Sequence, residues 1–119
     1  MRYRRIYQET PPRVEGIRTS LCAIVQVSGE ETDGRFSLVY EVQAPGFWTP
    51  LHVHRRDGQA HYVLEGEATF YLPGESVAVG PGECGYGPIN VPHTEQVTSS
   101  EPLRQLVVNS PAGASRRKG

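Results

Sequence analysis

Hydrophobic and polar positions alternate in short runs along this chain, a pattern typical of β-strands. The run LCAIVQV is read as a buried strand. The alternation in RFSLVYEV places four apolar side chains on one face: Phe36, Leu38, Tyr40 and Val42. Further runs of strand character are TPLHVH, AHYVLEG, EATFYL, SVAVG, HTEQVTS and LRQLVVNS, with turn signals such as APG, RRDG, LPGE, GPGE and SSEP between them. Strands spaced about every ten residues predict an all-β antiparallel sandwich or small barrel.

Length and composition favour a single domain. The 119 residues suffice for one domain but not for two independent cores. The 13 glycines and 10 prolines leave little room for a long helix. We expect an N-terminal arm over residues 1–20, a β-barrel over residues 21–112 and a basic C-terminal tail over residues 113–119.

Charge and apolar content restrict the partners that we expect. The net charge of −1 favours neither nucleic acid nor an anionic membrane. No apolar run is long enough to span a bilayer, and residues 1–13 lack the apolar core of a secretory signal. Cys22 and Cys84 form no CxxC pair, so we expect a cytoplasmic protein with reduced thiols. LCAIVQV is too apolar for an exposed edge strand, which predicts a homodimer in which a second chain covers it.

Three of the four histidines lie within the eighteen-residue stretch PLHVHRRDGQAHYVLEGE. In a strand, alternate residues point to the same face, so His52 and His54 would project side by side. Neutral imidazole is a good ligand for Zn, Fe, Ni, Cu or Mn, and His93 could supply another ligand from a distant strand. Taken alone, an HxH pair is more often half-exposed strand surface than a metal site.

The spacing around these histidines resembles the two sequence motifs of the cupin superfamily. The first motif is matched by Gly46, five residues, His52-Val53-His54, four residues, Gln59, six residues and Gly66. The second is matched by Gly82, five residues, Pro88, one residue, Asn90, two residues and His93. The resemblance covers roughly residues 36 to 110. It implies a jelly-roll β-barrel, commonly a homodimer, that binds one divalent transition metal (Zn, Fe, Ni or Mn) through the matching positions His52, His54, Gln59 and His93.

Three positions depart from the family pattern, which usually has Glu at Gln59, Gly at Asn90 and often Asn at Val97. Asn tolerates positive φ well, so the change at Asn90 is mild. The Gln59 amide is uncharged and takes up no proton near neutral pH. A divalent metal held by four neutral ligands would therefore keep its full +2 charge, which favours the binding of anions such as enolates. His61 shares the strand face of Gln59 and is the alternative fourth ligand, or else an imidazole packed in the barrel.

Glu95 and His61 are the candidate catalytic residues. Glu95 lies two residues after His93 and should share its inward face, where burial would raise its pKa towards the useful range of a general base. The alternative is a carboxylate on the strand surface. Several aromatic side chains could line one mouth of the barrel and suit a flat, apolar small-molecule substrate: Phe36, Tyr40, Trp48, Phe70 and Tyr86.

Three functions remain open, because this fold carries many chemistries. The first is metal-dependent Lewis-acid catalysis on an enolisable polyketone or phenolic substrate, as the resemblance to cupins that act as aromatic polyketide cyclases implies. The second is a dioxygenase that cleaves a flavonol or diketone, against which the missing Glu at Gln59 counts. The third is a sensor or binding module that holds a small ligand without turning it over.

Overall fold

The computed structural model describes residues 20–112, and the predicted basic tail and all but the last residue of the predicted arm lie outside that range. Eight strands and no helix form within it. No helix among these residues therefore has the length and hydropathy to cross a membrane. The strands are β1 (Leu21–Val27), β2 (Ser37–Gln43), β3 (Gly58–Glu65), β4 (Ala68–Leu72), β5 (Glu75–Val79), β6 (Cys84–Gly87), β7 (Thr94–Val97) and β8 (Leu103–Ser110).

Two antiparallel sheets face each other and confirm the all-β prediction. The larger sheet has the order β1-β2-β8-β3-β6, and the smaller has the order β5-β4-β7. Chain neighbours are often not sheet neighbours, since β8 inserts between β2 and β3. β1 and β6 are the edges of the larger sheet among the described residues. The run LCAIVQV forms strand β1, as predicted. It is not buried among the described residues, because Leu21 and Val25 of this edge strand are 45% and 50% exposed.

One predicted strand does not form, and one observed strand was not predicted. The segment TPLHVH is not a strand, because Pro50 has no backbone N–H to donate, and only the isolated bridge between His52 and His93 forms there. Strand β6 was not predicted, because its sequence CGYG has the composition of a turn. It forms by pairing with β3, which sets Gly87 opposite Gln59 and Gly85 opposite His61.

The inward face of the larger sheet is unexpectedly polar. Of the four residues predicted to share a face of β2, Val42 is fully buried, whereas Leu38 and Tyr40 are half-buried and Phe36 is exposed. Ser37, Val39 and Gln43 on the other face are all buried. Along β8 the buried positions likewise include Gln105, which is fully buried. Polar side chains inside a barrel need hydrogen-bond partners, so this part of the interior is a place to look for a site.

The rest of the interior is a conventional apolar core. It is formed by Val63, Ala68, Phe70, Val79, Val97 and Leu103, with Phe47 packed against them. Val97, where the family often has Asn, is thus a packing residue, at 2% exposure. The turn from β3 to β4 fits closely over this core. Gly66 has a φ of 83°, and a Cβ there would lie 2.5 Å from the Pro102 carbonyl oxygen, so no other residue fits without movement.

Candidate metal centre

A backbone bridge brings the histidines of the two motifs together. The His52 N–H donates to the His93 carbonyl at 3.1 Å, and the His93 N–H donates back at 2.9 Å. The ligand-donating nitrogens of His52, His54 and His93 all lie within 4.8 Å of one another. The Asn90 N–H donates to the His54 carbonyl at 2.7 Å and holds the two segments in place, and Asn90 has the positive φ, 64°, that its motif position requires. The three predicted histidines therefore form one cluster.

Each imidazole of the cluster is oriented through its Nδ1 atom. His52 Nδ1 donates to the Pro50 carbonyl at 2.7 Å, and His93 Nδ1 donates to the Val91 carbonyl at 3.1 Å. His54 Nδ1 lies 3.4 Å from Asp57 Oδ2. Because a proton on Nδ1 leaves the lone pair on Nε2, all three rings are set to present Nε2 as the ligand atom.

The donor set fits a transition metal. His54 Nε2 is buried and has no hydrogen-bond partner, which is a cost that a bound cation would remove. Burial lowers the pKa of His93, and the neighbouring His52 and His54 lower it further, so the neutral, ligating form of the ring is favoured. Three neutral imidazoles with oriented rings are a set that Zn, Fe, Ni or Mn accepts.

Gln59 and His61 point towards each other beside this cluster. His61 Nε2 donates to Gln59 Oε1 at 3.3 Å, and both side chains lie on the inward face of β3, as the alternation predicts. His61 does not belong to the group of donor nitrogens within 4.8 Å, which contains only the three other histidines. Which of Gln59 and His61 is the fourth ligand therefore stays a prediction.

Glu95 is buried, with 4% of its surface exposed, beside His61. Its Oε2 lies 3.9 Å from His61 Nδ1. Burial raises the pKa of Glu95 to about 7 and outweighs the hydrogen bonds from Gln105 and Gln43, which lower this pKa. Burial lowers the pKa of His61 to about 4. Because each shift favours the uncharged form, His61 is neutral near pH 7 and Glu95 is protonated in a large fraction of molecules, so this contact is not a salt bridge.

Two glutamines connect this pair to a second carboxylate. Gln43 and Gln105 both donate from Nε2 to Glu41 Oε1, each at 3.0 Å, and Gln43 Nε2 also lies 3.5 Å from Glu95 Oε1. The Oε1 atoms of both glutamines, His61 Nδ1 and Glu95 Oε2 are buried without a partner. A proton on Glu95 would supply one of the donors that these acceptors lack.

An apolar cleft opens next to the histidines. His61 and His93 are its polar residues, and its other side chains are Phe70, Leu72, Val77 and Tyr86. His61 packs edge-on against Phe70, with ring centroids 4.9 Å apart. Of the aromatic residues expected at one mouth of the barrel, Phe70 and Tyr86 line this cleft, whereas Phe36, Tyr40 and Trp48 do not.

Sequence reasoning missed Asp57, which supports the site from the loop before β3. The sequence RRDG is typical of a turn, yet Asp57 is buried, with 7% exposure, and contacts His54. Asn109 Nδ2 donates to its Oδ2 at 2.6 Å. The available signal was the spacing of His54 and Asp57, three residues apart, since a ligating histidine usually has a carboxylate or carbonyl behind it.

A family model for the cupin domain matches residues 39–109. The chain belongs to the cupin family. Its two sheets are the jelly-roll that the motifs predicted, and the three clustered histidines are those of the motifs. No curated protein sequence matches this cupin.

Solved structures similar to this cupin differ in function. The polyketide cyclase RemF from Streptomyces resistomycificus is 30% identical, with a TM-score of 0.67, over 76% of this chain and 65% of that chain. TT1209 from Thermus thermophilus is 26% identical, with a TM-score of 0.68, over 78% of this chain and 85% of that chain. A predicted oxalate decarboxylase from Thermotoga maritima shares the fold, with 22% identity and a TM-score of 0.71 over 76% of this chain and 80% of that chain. The fold alone therefore does not determine the reaction.

Proposed function

We propose that this cupin is a metal-dependent enzyme that performs Lewis-acid chemistry on an enolisable polyketone or a phenolic compound, as an aromatic polyketide cyclase does. The observation that carries the proposal is the cluster of His52, His54 and His93, whose ligand nitrogens lie within 4.8 Å of one another, with Nε2 of His54 buried without a partner. The 30% identity to a polyketide cyclase supports the choice of substrate class.

The charge of the site supports non-redox chemistry on an anionic oxygen. The three histidines are uncharged ligands, and Gln59 adds no negative charge where the family usually has Glu. A divalent metal bound there would supply Lewis-acid polarisation of a substrate oxygen at undiminished charge. The substrate would then enter from the apolar cleft, whose walls exclude water from its ring and leave one edge facing His61 and His93.

The chain's own residues provide for proton movement. Glu95 Oε2 is buried near His61 Nδ1 and among amide groups that can hold it in place. We assign Glu95 the role of holding and moving a proton, with His61 as its neutral neighbour. Gln105 and Gln43 fix both carboxylates through their amide groups.

One assay tests the proposal against its alternatives. Full-length protein loaded separately with Zn, Fe, Ni or Mn is incubated with polyketones and phenolics under air and under argon, and product formation and oxygen uptake are followed. Equal turnover under both atmospheres, lost in His52→Ala, is the expected result. Turnover only with oxygen uptake would identify a dioxygenase instead, and tight binding without any product would identify a sensor or binding module.

A further inference from the structure

One side of the cleft is formed by strand β6, which has glycine at two alternate positions. Gly85 and Gly87 on β6 both line the cleft and, being two residues apart in a strand, face the same side. Neither has a positive φ, so the backbone does not require glycine at either position. The reason for glycine must therefore be space.

The two glycines differ in the space before them. A Cβ at Gly85 would lie 3.1 Å from Val79 Cγ2 and 3.4 Å from Phe70 Cε1, so the core packs against this glycine. A Cβ at Gly87 would meet nothing nearer than the Gln59 carbonyl oxygen at 4.0 Å. Packing thus accounts for Gly85 but not for Gly87, which leaves open space in front of the candidate metal centre.

The side chains around this space are mostly apolar. Phe70, Leu72 and Val77 line the cleft together with Tyr86, and His61 and His93 are its histidines. A ligand that fits this cleft would place an apolar body against Phe70 and Val77.

We propose that the cleft binds a planar apolar ring, and that Gly87 determines how large a ring it admits. The inference rests on the proposed function and defines the shape of its substrate. A side chain at this position would project into the space that the ring occupies, beside Gln59 on the facing strand.

Ligand-observed NMR on the full-length protein, with and without zinc, tests this inference. The probes are phenol, the two-ring 2-naphthol, and inositol as a non-planar, polar control. We expect wild type to bind phenol and 2-naphthol but not inositol. Gly87→Ala should weaken 2-naphthol binding by about tenfold while phenol binding is retained, and Gly87→Val should weaken both by at least as much. Gly80→Ala is the matched control, because a Cβ there would meet only Glu83 Oε1, at 3.7 Å.

The inference is overturned if Gly87→Val binds 2-naphthol as tightly as the wild-type protein does. It is also overturned if the wild-type protein binds neither phenol nor 2-naphthol. Zinc content and cooperative urea unfolding of each variant show whether the histidine cluster and the fold are intact, and if Gly87→Val fails to fold, Gly87→Ala decides. This experiment measures binding without turnover. If the rings bind in a way that depends on Gly87 but the protein has no cyclase activity, the proposed reaction is refuted and this inference stands.

Discussion

Replacing Asp57 tests whether the loop before β3 is part of the metal centre. Asp57 Oδ2 lies 3.4 Å from His54 Nδ1 and also accepts a hydrogen bond from Asn109 Nδ2 at 2.6 Å. In Asp57→Asn, the amide oxygen can occupy the same position and keep both contacts. The substitution therefore removes mainly the charge and leaves the geometry almost unchanged.

The expected loss follows from the kind of contact. The contact joins a ring N–H to a carboxylate at 3.4 Å, longer than an ordinary hydrogen bond, so the loss of its charge should cost roughly 1–1.5 kcal/mol, no more than the lower limit of about 1.5 kcal/mol for a hydrogen bond to a charged group. This corresponds to about a tenfold weaker binding of metal, at the low end of the 10–100-fold range for residues that orient metal ligands. Asp57→Ala also leaves the Asn109 amide without its acceptor and should approach the upper end.

Competition of zinc between the metal-free protein and a chromophoric chelator at pH 7 measures the affinity. Asp33→Asn is the matched control, since it makes the same change in charge at a turn residue with a φ of 59°, a conformation that Asn tolerates. Urea unfolding of the metal-free proteins separates a loss of affinity from a loss of fold. The interpretation is wrong if Asp57→Asn binds zinc within about twofold of wild type, or if Asp33→Asn loses as much.

Four further outcomes are expected. His52→Ala and His93→Ala should each lose the bound transition metal, of which elemental analysis should find about one per chain in wild type, and full occupancy in both would contradict the site. Gln59→Glu should keep or raise metal affinity but lower Lewis-acid turnover, and an increase in oxygen-dependent turnover would favour a dioxygenase. In the metal-free protein, burial raises the pKa of Glu95 from 4.5 to about 7, so its contribution to stability is present below pH 4.5 and is lost as the pH rises through 7. Relative to wild type, Glu95→Gln should therefore gain about 2 kcal/mol of unfolding free energy between pH 5 and pH 8 in urea titrations, and no pH-dependent difference would refute the buried carboxyl. Sedimentation at micromolar concentration should show a homodimer that covers Leu21–Val27, and a monomer would refute it.

Local sequence patterns predicted the all-β fold and most of its strands, because alternation reports directly which face of a strand is buried. They failed for β6, whose CGYG sequence acquires strand structure only through its pairing with β3. They also failed for the polar interior, since an alternating strand does not show which of its faces points inward. On β2, Leu38 and Tyr40 are half-buried, whereas Ser37 and Val39 on the opposite face are buried.

The sequence predicted some residues of the candidate metal site and not others. Motif spacing identified His52, His54 and His93, because a metal ligand must have a particular side chain at a particular place. The spacing of His54 and Asp57 was the only sequence signal for their contact, and nothing in the sequence showed that His61 contacts both Gln59 and Phe70. Those contacts depend on how loops and strands distant in the chain come together.

The groups that orient the three histidine rings determine which point mutations can change the metal site during evolution. His52 and His93 each donate to the carbonyl two residues earlier, at Pro50 and Val91, and a main-chain carbonyl is present whatever side chain the gene encodes there. A single nucleotide change at either codon can alter the side chain while the orienting group remains. His54 is supported by a side chain instead, so codon 57 is where point mutation can adjust the electronic character of one ligand without replacing any ligand. Libraries randomised at that codon, with the histidines kept, are therefore a compact route to variants with altered metal preference.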